Sequence, residues 1–236
     1  MKIKHYRSSI PKSAQERVVS SHKSNGMKHR VDYIVDGKLV GFRQFNEEGE
    51  IEFERPLRDG LTHGTVYMFH GDINRSGEIT FSEPHQNGLA HGTARKWSEH
   101  DGSLIGTYSM KHGTGLDLWR NWSYVTKAEY LSEARYIKSG KWHGFEWWIN
   151  EDQALNKENH FQEDLQHGIL REWNASGKLR RGYPKYWVAN VQVSKRKYLA
   201  ACVKDASLPL FQEADNQPQR IFPPEVLAAI QQPLPA

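Results

Sequence analysis

Four histidines occupy the same place in related five-residue stretches: His63 in GLTHG (60–64), His91 in GLAHG (88–92), His143 in GKWHG (140–144) and His167 in DLQHG (164–168). Imidazoles repeated in this way raise metal coordination and acid–base catalysis as the first chemistries to consider. Their spacings of 28, 52 and 24 residues decide against a shared ion. On hairpins laid side by side, successive histidines fall roughly 10 Å apart, whereas ligands of one zinc must all lie about 2 Å from it. A structural role is therefore expected for these histidines, with no metal site and no cofactor. The single cysteine, Cys202, excludes internal disulfides and multi-cysteine metal sites. It reads as a small residue packed on a helix rather than a nucleophile. The GxSxG elbow, the P-loop and HExxH are all absent. No catalytic residue is assigned, and a non-enzymatic protein is expected.

The elements that hold these histidines follow from glycine. Gly41, Gly64, Gly92, Gly115, Gly144 and Gly168 are separated by 23, 28, 23, 29 and 24 residues, so consecutive pairs sum to 51, 51, 52 and 53. A second marker, a turn glycine followed by a polar and an aliphatic residue, recurs as GKL at 37, GEI at 49 and 77, GSL at 102 and GKL at 177. Asp-Gly and Ser-Gly pairs favour tight reversals, because glycine accepts positive φ without steric cost. Between the glycines lie TVYMF (65–69), TARKW (93–97), FEWWI (145–149) and ILREW (169–173). These are rich in β-branched and aromatic residues and lack helical spacing. Each unit therefore reads as strand, tight turn, strand and loop, which is a β-hairpin.

The pattern G-x-x-H-G, a short strand with an aromatic residue, then D/N/S-G-x-aliphatic resembles the MORN repeat, in the looser variant of bacterial antitoxin-like proteins. The resemblance covers about residues 25 to 188. The loop is intact at 60–64, 88–92 and 140–144; Gly115 keeps only GTG, the unit at 164 has lost its first glycine, and NWSYVTKAEY (121–130) replaces a tight turn. The resemblance implies a mainly β fold, an elongated single antiparallel sheet of stacked hairpins over residues 25–190. It also implies a protein-binding function of the antitoxin or immunity type, with a protein toxin as partner. A membrane-lipid-associated scaffold is the alternative.

The flanks lack the markers. Residues 1–24 read as a loosely docked lead-in. In 191–236, Ser194 is placed to cap a helix through KRKYLAACVKD, and PEVLAAI (224–230) opens with proline as a second helix. This helical tail is expected to pack over the last hairpin, after YPKYWV (183–188).

The most uneven feature is aromatic. Trp119, Trp122, Trp142, Trp147 and Trp148, five of the eight tryptophans, fall within thirty residues. Tryptophan anchors interfaces, and these five are the candidate partner-binding residues. Adjacent Trp147 and Trp148 must point to opposite faces if both lie in one strand. The formal charge of +4 is spread among interspersed acids, such as Glu47, Glu48, Glu50, Glu52 and Glu54 ahead of Arg55 and Arg58. That mixture argues against a nucleic-acid groove. The polar segment MKIKHYRSSIPKSAQERVVS lacks the apolar run of a secretory signal, so a cytoplasmic location is expected.

Overall fold

The computed structural model describes residues 6–219 and 221–231. Positions 1–5 of the lead-in and 232–236 of the tail lie outside the described residues. The fold is mainly β. Among the described residues, eighteen strands belong to one open antiparallel sheet, and two α-helices lie near the C-terminus. The chain divides at His112/Gly113 into two compact units.

The first unit holds β1 (Gln15–Ser21), β2 (Lys28–Val35), β3 (Lys38–Phe45), β4 (Ile51–Arg58), β5 (Leu61–Thr62), β6 (Gly64–Phe69), β7 (Ile79–Gln86), β8 (Leu89–Ala90), β9 (Gly92–Trp97) and β10 (Leu104–Lys111). The second holds β11 (Thr114–Ser123), β12 (Ala128–Lys138), β13 (Lys141–Ile149), β14 (Leu155–Gln162), β15 (Leu165–Gln166), β16 (Gly168–Glu172), β17 (Lys185–Val188) and β18 (Val191–Val193). Helices α1 (Lys195–Cys202) and α2 (Pro224–Gln231) follow.

Two turn chemistries alternate along the chain. At Asp36-Gly37, Asp59-Gly60 and Asn87-Gly88 both residues have positive φ, 47° and 74°, 50° and 79°, 51° and 86°. The flanking residues pair directly (Val35 with Lys38, Arg58 with Leu61, Gln86 with Leu89). These are two-residue hairpin turns of the primed kind, whose twist matches that of the strands. Gly37 therefore belongs with Gly60 and Gly88, not with Gly49 as the tripeptide marker suggests. The opposite turns are organised by a side chain. Asn46 Oδ1 accepts the N–H groups of Glu48 (3.2 Å) and Glu50 (2.8 Å), and Asn174 Oδ1 those of Ser176 and Lys178 (3.0 Å each).

Loss of glycine does not abolish the hairpins. Glu163-Asp164 and Ala189-Asn190 both take positive φ at two successive residues without any glycine, and the latter pair joins β17, which lies in YPKYWV, to one further strand, β18. Asn and Asp tolerate the left-handed region because their short polar side chains bond locally. The NWSYVTKAEY segment also forms a regular hairpin. Ser123 pairs with Ala128, and Ser123 Oγ accepts from Val125 N (3.2 Å) and Thr126 N (2.9 Å).

The lead-in is not loose. Gln15–Ser21 forms β1 and pairs with β2, and Ile10 is buried against Val31 and Tyr33. Tyr6 sets its ring edge-on to Tyr67 (5.1 Å) and Phe69 (5.2 Å), and its hydroxyl donates to Glu54 at 2.5 Å. Ser194 caps α1 as expected, accepting from Lys197 N at 3.4 Å, but the helix stops at Cys202 rather than reaching Asp205. The tail does more than pack over the last hairpin. Tyr198 of α1 is buried with Ile169, Tyr186 and Leu208, while Phe222, Val226 and Ala229 cover the middle of the unit, against Leu131, Ala134, Trp147, Leu155 and Trp173.

Gly92 tests the loop backbone. It has φ 120°, and a Cβ there would meet Pro84 Cβ and Cγ at 3.3 Å. Gly92→Val is expected to lower stability by about 1–3 kcal/mol, read from urea denaturation. An unchanged midpoint would mean that this backbone needs no glycine.

Candidate functional site: an aromatic and acidic sheet face

The repeated histidines serve the turns. His63 Nδ1 lies 3.4 Å from Asn87 N, His91 Nδ1 3.2 Å from His112 N, and His167 Nδ1 3.1 Å from Ala189 N. In each case the ring nitrogen accepts the N–H of the first residue of the next turn, which requires Nδ1 to be unprotonated. A second bond runs alongside: Gly88 N donates to Thr62 O (2.8 Å) and Asn190 N to Gln166 O (2.9 Å). His143 departs from this pattern, with Nδ1 3.5 Å from Glu163 Oε1. Among the described residues no group of three or more His, Cys, Asp or Glu is placed to hold a metal ion. Burial pushes the Cys202 thiol up, away from the thiolate a nucleophile needs.

The five tryptophans divide between the two faces of the second unit. Trp147 is 5% exposed, stacks on Phe145 (5.3 Å) and donates through Nε1 to Glu158 Oε2 at 2.9 Å. It is core, covered by Phe222 of the tail at 5.7 Å between rings. Its neighbour Trp148 is 42% exposed on the opposite face, as alternation requires. Trp142 is 40% exposed and meets Phe161 edge-on at 4.8 Å. Half-buried Trp119 shares the open face with Trp148, because both stand opposite Glu133 in the ladder. Trp122 alternates with Asn121, which lines a recess on the open face, and so points with Arg120 to the covered side. Arg120 donates there to Ala229 O, near the C-terminal end of α2. The structure thus brings Trp119, Trp142 and Trp148 to one face and leaves Trp122 and Trp147 out.

The charged residues of this face were not singled out from sequence. Arg135 stands between Asp117 and Glu146 in one row, with Nε 3.0 Å from Asp117 Oδ2 and Nη2 3.1 Å from Glu133 Oε1. Its guanidinium also lies 5.5 Å from the Trp142 ring centroid. Two carboxylates thus pair with one guanidinium, and a third, Glu146, is the cross-strand neighbour of Arg135. Only strand register could reveal this, since the four residues come from three strands.

Burial pushes the Glu133 carboxyl up to about 7; Arg135 opposes the shift, while Glu146 and Asp117 add to it. The folded protein therefore holds a proton on Glu133 that the unfolded chain releases at lower pH. Stability from this source is fully present below the ordinary carboxylate range and is lost as pH rises through about 7. Wild type is expected to lose stability relative to Glu133→Gln between about pH 5 and pH 8. Parallel curves for the two proteins in urea would show that Glu133 is not responsible.

A recess of about 220 Å³ opens on this face, lined by Trp119, Asn121, Tyr130, Glu133, Trp148 and Asn156 among others. Among the described residues no helix is long and apolar enough to cross a membrane. No family model matches the chain, and no curated protein matches it either.

Proposed function

We propose that this chain is a non-enzymatic binding protein of the MORN-like type that engages a protein partner through the open face of its second unit. The observation that carries the reading is the exposure of Trp142 and Trp148 on the face that the tail leaves bare. Large rings that the core does not use are favoured interface anchors. The partner class we favour is a protein toxin held inactive by binding, with the chain acting in the cytoplasm; the repeat pattern supports this assignment by resemblance.

The test is capture of the partner from source cells with tagged wild type and with Trp148→Ala. The wild type should retain a stoichiometric protein that the variant loses, with affinity reduced by about 2 kcal/mol or more. That protein, expressed alone, should arrest growth, and co-expression of wild type should restore it. Capture indifferent to Trp148→Ala would overturn the interface. Salt-sensitive sedimentation with anionic vesicles, and no captured protein, would favour the lipid scaffold instead.

A further inference from the structure

Glu133 sits between two indoles. Its cross-strand partner on β11 is Trp119 and its partner on β13 is Trp148, so an acid is flanked by aromatic rings in a single row across three strands. Glu133 is 8% exposed, yet it lines the recess, and its Oε1 accepts no hydrogen bond although Arg135 lies at ion-pair distance. The recess volume of about 220 Å³ is below the roughly 300–1,000 Å³ typical of small-molecule pockets. It suits one side chain better than a free metabolite.

We propose that this recess is a socket for one arginine side chain of a protein partner, its guanidinium stacked on Trp148 or Trp119 and paired with Glu133. The proposal rests on the reading of this face as protein-binding. Charge supports it, because the three carboxylates Asp117, Glu133 and Glu146 outnumber the cations facing them, Arg135 and, beyond Trp148, Lys157, and an incoming guanidinium adds a further positive charge. Ring faces attract cations, and a guanidinium stacks on them better than an ammonium does. Its five N–H groups need several acceptors, and Asn121, Asn150 and Asn156, whose side-chain amides can accept, line the same recess as the carboxylate.

The test uses the intact protein and two probes, acetyl-Gly-Arg-Gly-amide and its citrulline counterpart, which keeps the shape and loses the charge. Binding is followed by the indole N–H signals of Trp119 and Trp148, assigned with Trp119→Phe and Trp148→Phe. The arginine peptide should shift both signals saturably in the millimolar range, and the citrulline peptide should bind at least about tenfold more weakly. Glu133→Gln should weaken the arginine peptide by about tenfold. Binding to wild type should tighten severalfold as pH rises past about 7, where Glu133 loses its proton. The charged groups facing Glu133 are Asp117 on β11, Arg135 on β12, Glu146 on β13 and, beyond Trp148, Lys157 on β14. Glu133→Gln should remove that pH dependence.

Equal binding of the two peptides, an unaffected Glu133→Gln variant, or no saturable shift would each overturn the socket. These outcomes are separable from failure of the broader reading. A captured partner lost with Trp148→Ala but retained with Glu133→Gln would reject the arginine socket and leave the protein-binding face standing.

Discussion

Arg171→Met is expected to lower the unfolding free energy by about 3–5 kcal/mol, the range for breaking a buried ion pair by removing one partner. Arg171 Nη1 donates to Glu158 Oε1 at 2.6 Å, with the two side chains only 2% and 4% exposed. The other carboxylate oxygen accepts from Trp147, and Arg171 Nε donates to Asn216 Oδ1 at 3.2 Å. Without the guanidinium, a buried carboxylate keeps the indole N–H of Trp147 but loses the counter-charge of Arg171. The cost arises from stranding Glu158 rather than from the worth of the pair itself. Adding Glu158→Gln to Arg171→Met should therefore recover a large part of the loss, and urea denaturation of the single and double variants measures this. A single variant within about 1 kcal/mol of wild type would show that water reaches Glu158 freely. The first unit carries a related pair, Arg43 and Glu54 at 2.7 Å, beneath its own covering segment around Tyr6. In both units a terminal segment is laid over a charged pair that it helps to satisfy.

The second large effect separates two adjacent residues of one type. Trp147→Ala is expected to cost about 3–5 kcal/mol of folding free energy, because it empties the space between Leu131, Ala134, Trp173 and Phe222 and strips a donor from Glu158. Trp148→Ala is expected to change folding by less than about 1 kcal/mol, as surface substitutions do. Thermal or urea unfolding of the two variants side by side reads the contrast. Equal losses would mean that the open face is covered after all, and would remove the ground for placing a partner there.

What the chain's local chemistry determined is the hairpin. A residue needing positive φ is marked by glycine or by Asn and Asp, and that requirement is met within two to four residues, so Asp59-Gly60 and Asn87-Gly88 are legible as turns without any distant contact. The same locality let Ser194 announce α1 and let the adjacency of Trp147 and Trp148 predict opposite faces. The task of His63, His91 and His167 was not legible, because the N–H that each accepts belongs to a turn 21 to 24 residues onward. Glycine was also too strict a marker, since Ala189-Asn190 reaches the same backbone and adds a hairpin that the repeat pattern does not contain. The tertiary structure alone decided which face is open. Alternation places residues on two faces but cannot say which of them a remote segment will cover. That choice came from Phe222, Val226 and Ala229 finding Trp147 and its neighbours some eighty residues earlier. The acidic row around Arg135 was hidden for a related reason. Asp117, Glu133 and Glu146 are scattered along the chain and become neighbours only when strand register is set, and register is fixed by pairing across the sheet rather than by any one segment.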